Sequence, residues 1–349
     1  MTTIDILNLL SELVDIAGPV GREEAVQHFL ASKWEKLNFK TEIDKIGNLY
    51  GRMNGKGPHW AIVSHSDTIG FIVQQILANG FLKMAFNTAA TTPDARFLAG
   101  STLRFLTNNS KNILGYFGLR SGHLAGIEGK KKAVLFDDMF VDVGVSSIKE
   151  VTDLGIDIGT PAVFYSSVQQ IQNNIVGPSM DNRVGSTIQT ILAQNLKQNN
   201  IQPNLTLIST VQEEIGMKGA AAAANRGDFD GVINLDVGLT GDIPPSKNDY
   251  LSTKLGSGPI LVVKDFSIHY SHSLFTMIAK LAAQENLPFQ RAVFKNYNTD
   301  GMYFFMNGQP TITISVPCRY THTNFETIKV SDVLHTINLL EAVLSASLT

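Results

Sequence analysis

Apolar positions recur at helical spacing over residues 4–16 and 22–37, and the breaker cluster Ala17-Gly18-Pro19-Val20-Gly21 predicts a turn between two helices. The period then shortens. Residues 40–43, 49–53 and 60–64 read as strands, the last almost wholly apolar, as expected for a strand covered on both faces. From about Ile69 to Val168 the texture changes to short runs such as Gly70-Phe71-Ile72-Val73, Phe97-Leu98-Ala99 and Met139-Phe140-Val141-Asp142-Val143, separated by Gly and Asn. Short strands with little helix predict a separate β-barrel or sandwich. One helix interrupts it at residues 147–155, with Ser146 or Ser147 as cap and Gly155 as stop. After Gly177 the α/β rhythm returns: helix over 183–197, strand to Thr210, helix over 216–224, strand to Asp236 and helix over 271–285. The predicted fold class is α/β, a mixed-sheet α/β/α domain built from residues 1–69 and 169–349 with a small β-barrel domain of residues 70–168 inserted into it.

Composition narrows the function. A chain of 349 residues suits two domains. A formal net charge of −3, with no block of five or six like charges, leaves no basic surface for a nucleic-acid partner, and the run Lys130-Lys131-Lys132 reads as a solvated turn. Cys318 is the one cysteine, which excludes an intrachain disulfide framework and points to a reducing compartment. The N-terminus lacks a basic region of signal type, and no run of about eighteen apolar residues occurs. These features predict a soluble cytoplasmic protein without a membrane partner.

The chemistry is concentrated where strands end. Glu213 and Glu214 follow the apolar run of residues 205–210, His65 and Asp67 follow 60–63, Asp236 follows 231–235, His322 follows 311–316, and Asp181 precedes a helix. In open α/β sheets, functional groups collect outside the carboxyl ends of strands. Two imidazoles and several carboxylates suit divalent ions such as Zn²⁺, Co²⁺ or Mn²⁺, and a carboxylate can bridge two of them. Asp181 reads equally as a helix cap and as a bridging ligand. Adjacent Glu213 and Glu214 point in different directions, so one can bind metal while the other faces substrate; taken alone they also read as a solvent-facing pair at a helix start. Asp67 suits a partner that orients an imidazole. The remaining histidines read as structural, and Cys318 as a small core residue.

The segments Ser64-His65-Ser66-Asp67-Thr68-Ile69-Gly70-Phe71, Met180-Asp181-Asn182-Arg183-Val184-Gly185, Val211-Gln212-Glu213-Glu214-Ile215-Gly216, Leu235-Asp236-Val237 and Arg319-Tyr320-Thr321-His322-Thr323 resemble, in order and spacing, the motifs of the M42 metallo-aminopeptidases. Asn298-Thr299-Asp300-Gly301 fits the segment before the last motif. The resemblance implies an α/β exopeptidase domain with an inserted β-barrel, two divalent ions per subunit, zinc or cobalt, and a homo-oligomer, in some members a tetrahedral dodecamer. It further implies that His65 and Asp236 bind one metal, that Glu214 and His322 bind the other, and that Asp181 bridges them. Glu213 is then the general base that activates a metal-bridging water, and Asp67 its catalytic neighbour. Thr68 stands where the family commonly has an acid, and Ser64 and Ser66 replace small or apolar residues. The expected activity is removal of N-terminal residues from short peptides. The alternatives are a metal-dependent deacylase or amidohydrolase acting on N-blocked amino acids or peptides, and a catalytically inactive shell-forming binding protein. A glycosidase is disfavoured because adjacent Glu213 and Glu214 cannot flank a sugar from opposite sides.

Overall fold

The computed structural model describes residues 3–89, 92–108, 112–244 and 251–346. Helices α1 (Thr3–Asp15) and α2 (Glu24–Lys36) lead into strands β1 (Lys40–Ile43), β2 (Leu49–Met53) and β3 (Lys56–His65). Six short strands follow: β4 (Phe71–Ile76), β5 (Leu82–Phe86), β6 (Thr102–Leu106), β7 (Asn112–Gly118), β8 (Phe140–Asp142) and β9 (Pro161–Phe164). They close into a barrel in the order β4-β5-β8-β7-β6-β9. Its interior is aromatic, with the Phe71 ring edge-on to Phe117 and Phe164 at 4.9 and 5.3 Å. Closure removes the free edges that short strands would otherwise expose.

Helices α3 (Gly122–Lys131) and α4 (Ile148–Asp153) decorate the barrel. Ser147 caps α4, its hydroxyl accepting from the Glu150 N–H. Helix α3 corrects the sequence reading. The backbone of the lysine run expected in a solvated turn lies at the end of this helix, and Lys131 pairs with Glu128 at 2.9 Å. Gly122, Gly126 and Gly129 conceal the helix in the sequence, and Gly126, at φ 67°, kinks it.

The chain then rejoins the main sheet through β10 (Gln169–Ile171) and β11 (Asn174–Gly177), runs along α5 (Met180–Gln198), and adds β12 (Pro203–Thr210), α6 (Lys218–Ala223) and β13 (Gly231–Leu239). The remaining elements are β14 (Ile260–Lys264), α7 (His272–Gln284), β15 (Gln290–Val293), α8 (Gly301–Met306), β16 (Thr311–Arg319), β17 (Glu326–Lys329) and α9 (Val330–Ala346). The sheet is mixed, in the order β1-β2-β12-β3-β13-β16-β17-β11-β10, with β14 and β15 branching from β16. At its centre β12, β3, β13 and β16 are parallel.

Both faces of that centre are covered, which explains its continuous apolar sequences. Successive residues point to opposite faces. Trp60 and Ile62 of β3 join Ile233, Ile314 and residues of α1, α2, α5, α7 and α9 in one core, whereas Ala61 and Val63 pack with Val232, Ala220 and Phe304 on the other side. The result is an α/β/α sandwich with the barrel inserted between β3 and β10. Among the described residues, no helix is long and apolar enough to cross a membrane.

Candidate metal centre

The four central parallel strands bring their carboxyl ends to one edge of the sheet, and each delivers a side chain to the same cavity of about 400 Å³. His65 is the last residue of β3, Asp236 lies in β13, Glu213 and Glu214 follow β12, and His322 follows β16. Asp181 enters from the start of α5, where it and Asn182 depart from helical φ/ψ. The regular helix is capped by Asn182, whose Oδ1 accepts from the Gly185 N–H at 3.1 Å, so Asp181 is not the cap. Its carboxylate stands between the two imidazoles: Oδ1 lies 3.0 Å from His65 Nε2, and Oδ2 lies 3.5 Å from His322 Nε2. His65 Nε2 is also 3.8 Å from Asp236 Oδ1, and His322 Nε2 is 3.5 Å from Glu214 Oε2. One ligand atom each from His65, Asp181 and Glu214 lies within 4.8 Å of the others, a separation that a single cation can span.

Neighbouring groups aim these side chains. His65 Nδ1 lies 3.0 Å from the Asp67 backbone carbonyl, which makes Nδ1 the donor there and turns Nε2 toward the cluster. The fully buried Asp67 carboxylate accepts from the backbone N–H groups of Glu213 at 2.9 Å and Glu214 at 3.0 Å. It therefore fixes the loop that presents both acids. Glu326, which sequence reasoning missed, does the same for two other positions: Oε2 accepts from Asp181 N at 3.0 Å and Oε1 from His322 N at 2.6 Å. No local pattern marks a Glu at the start of a short strand for this role. Ser179, Gln212, Tyr320 and His322 all have positive φ, between 56° and 64°. Each such residue costs on the order of 1–3 kcal/mol, and their concentration beside one cavity marks strain held by its surroundings.

Arg183 is also buried, and donates to the backbone carbonyls of Ser66 and Ile16. Burial lowers its pKa to about 10 despite the nearby Asp67 and Glu23 charges, so it stays a cation beneath the acids. Ser66 in turn donates its hydroxyl to Thr210 O at 2.7 Å, tying β3 to β12. Thr68 does not face the cluster chemistry. Its backbone N–H donates to Gly18 O at 3.0 Å, and its side chain is buried against the same carbonyl.

Burial pushes the Glu213 and Glu214 carboxyls well above the ordinary range; the nearby His65 opposes the shift and repulsion from neighbouring acids adds to it. Burial likewise raises Asp236 to about 6 and Asp300, which accepts from the Thr210 hydroxyl, to about 7. Burial works against the charged form of His65, but Asp181, Asp236 and Asp67 together hold its pKa well above normal. Asp181 moves the other way, because the two imidazoles overcome its burial. Buried acids thus outnumber the two bases that face them. Glu214 Oε1 and His322 Nδ1 are buried with no hydrogen-bond partner. A divalent cation supplies the charge that this nitrogen and oxygen donor set lacks, so the residues fit a bound metal. Cys318 takes no part: it is buried, and burial raises its thiol well above normal.

Comparison with known proteins places this geometry. Residues 47–339 match the family model of M42 glutamyl aminopeptidase. The FrvX protein of Escherichia coli (strain K12) is 30% identical over 345 residues, covering 97% of this chain and 95% of FrvX. The lysyl aminopeptidase of Pyrococcus furiosus is 26% identical over 348 residues, 96% of each chain. Among solved structures, the TET aminopeptidase of the marine sediment archaeon Thaumarchaeota archaeon SCGC AB-539-E09 superposes with a TM-score of 0.92 at 28% identity, over 98% of this chain and 96% of that one. The TET1 peptidase of Pyrococcus horikoshii, which can assemble into a tetrahedron or a large octahedral shell, gives 0.85 at 25% identity over 98% and 99%. A family match across most of the chain, on a shared fold, makes this protein a peptidase that belongs to the M42 aminopeptidase family.

Proposed function

We propose that the protein is a co-catalytic two-metal aminopeptidase that removes N-terminal residues from short peptides. The observation that carries this reading is the Asp181 carboxylate, whose two oxygens face different imidazoles. On that arrangement His65 and Asp236 would hold one ion, His322 and Glu214 would hold the second, and Asp181 would serve both. Zinc or cobalt suits the donors. Bound ions of this kind polarise a scissile carbonyl, anchor a free amine and acidify water.

The remaining chemistry belongs to the chain. Glu213 lines the cavity without being needed as a ligand, and burial gives it high proton affinity. It takes a proton from the attacking water and returns it to the leaving amine, a role worth about 10²–10⁴ in rate for a positioned general base. Asp67 contributes by fixing the loop from which Glu213 projects. The division of labour places residues 1–69 and 169–349 in the catalytic domain and residues 70–168 in an oligomerisation and access domain. Two features support the second role. Leu124, Ile127 and Leu135 are exposed apolar side chains in that segment, and the Ala89 N–H donates to Glu214 O at 3.1 Å, so the insertion reaches the cavity. The assembly proposed is a homo-oligomer of tetrahedral type, and the compartment is the cytoplasm.

The test is hydrolysis of free and N-acetylated aminoacyl p-nitroanilides and short peptides by metal-reconstituted protein, with EDTA and Glu213→Gln as controls. Chelator-sensitive cleavage confined to free amino termini is the expected result. Cleavage of blocked substrates alone replaces this reading with a deacylase.

A further inference from the structure

We infer that the cavity selects an uncharged, apolar N-terminal side chain, leucine, methionine or phenylalanine, and discriminates against glutamate and lysine. The inference rests on the aminopeptidase reading above and adds the substrate class. Away from the metal centre, the wall is built from Met217, Leu239, Phe266 and Tyr297, with the neutral amides of Asn296 and Asn298 beside them. Among the described residues lining the cavity, none is Lys or Arg, and every acid is one of the metal-centre carboxylates. An acidic side chain lying on this wall finds no Lys or Arg to pair with. A lysyl side chain lies against apolar surface with no dedicated carboxylate. Either charge loses its hydration without a partner, which is costly, whereas an apolar side chain gains by leaving water.

The wall is also rigid, which separates a binding element from an incidental apolar surface. Phe266 is 66% exposed, yet its backbone is held: its N–H donates to Tyr297 O at 3.0 Å. The preceding Asp265 is fully buried and accepts from Ser267 N at 2.7 Å, Ile268 N at 2.9 Å and the Tyr270 hydroxyl at 2.7 Å. The Tyr297 hydroxyl donates to Val237 O of β13 at 2.6 Å, one residue from Asp236. Leu239 and Tyr297 pack on the small core of Ile260, Val262, Tyr270 and Phe294. An exposed aromatic ring on a turn locked by a buried acid is preorganised to meet an apolar group at low entropic cost.

Two measurements decide it. With metal-loaded full-length protein, kcat/KM on Leu, Met and Phe p-nitroanilides is expected to exceed that on Glu and Lys by about a hundredfold or more, the range a single pocket can deliver. Equal or faster cleavage of the Glu or Lys substrate overturns the proposal. Phe266→Ala is expected to lose tenfold or more on the Phe and Leu substrates and far less on the Ala substrate; a uniform loss removes Phe266 from specificity. Leu239→Arg should raise the Glu-to-Leu ratio. Binding of L-leucinamide, L-lysinamide and glutamic acid 1-amide to Glu213→Gln, measured calorimetrically, reads the same preference without turnover. If no substrate is cleaved but leucinamide still binds tightest, the aminopeptidase reading fails while the pocket assignment stands; equal affinities sink the pocket assignment by themselves.

Discussion

Asp67 Oδ1 accepts a 2.9 Å hydrogen bond from the backbone N–H of Glu213, a residue 146 positions away in the chain. Its second oxygen holds Glu214, so one buried carboxylate positions both the proposed base and a proposed ligand. Asp67→Ala removes both acceptors and leaves two buried N–H groups unpaired, at about 1–3 kcal/mol each. The expected outcome is a 10–100-fold fall in kcat/KM with a lower melting temperature, while Asp67→Asn, which keeps one acceptor, loses less. Steady-state kinetics with parallel melting curves check it; two variants of equal activity would show that the loop holds itself.

Glu213→Gln keeps the shape and removes the proton acceptor. It should lower kcat by about 10²–10⁴ with little change in KM and no change in bound metal, measured by elemental analysis. Turnover near the wild-type level in a metal-loaded variant removes Glu213 from the role of base.

His322→Ala takes one imidazole from Asp181 and Glu214. Metal content is expected to fall from two toward one per chain, with His65→Ala acting on the other ion. EDTA should lower the melting temperature of the wild type, because a ligand that binds only the folded state adds RT ln(1 + [L]/Kd) to its stability, about 2.7 kcal/mol at a hundredfold excess over Kd. A chelator-insensitive melting curve argues against ions in the folded protein.

Glu326 touches no proposed ion, yet its two oxygens hold the backbones of Asp181 and His322. Glu326→Ala should weaken metal binding about 10–100-fold, whereas Glu326→Gln, which retains one acceptor, should weaken it less. Titration of the apo protein with Zn²⁺ distinguishes them.

Glu23 supplies a pH signature. Burial, then repulsion from Asp67, raises its carboxyl from 4.5 to about 7, even though it accepts from Gly21 N and Gln212 N. Between those values the folded protein binds more protons than the unfolded chain, so stability falls as pH rises through that window. The ceiling is about 3 kcal/mol at 1.36 kcal/mol per unit. Glu23→Gln preserves the acceptor and should flatten melting temperature against pH between 4.5 and 7; an unchanged slope assigns the effect elsewhere.

The hydrophobic pattern determined the class of fold on its own. The runs at 60–64, 205–210, 231–235 and 311–316 are continuous because both faces of those strands are covered, and the same burial brings their carboxyl ends to one edge. That is why His65, Glu213, Glu214, Asp236 and His322 could be grouped by position alone, whereas Asp181, at a helix start, reads equally as a cap and as a ligand. Strand order, the hydrogen bonds of Asp67 and Glu326, and the side of Asp181 facing each imidazole belong to the tertiary structure. So do the burial of Arg183 beneath the acids and helix α3, whose glycines argue locally against it. The division has a physical basis. Periodicity records which faces are covered, a property of each segment that repeats along the chain. A contact between residues 146 positions apart depends on how whole segments pack, and leaves no periodic trace in either one.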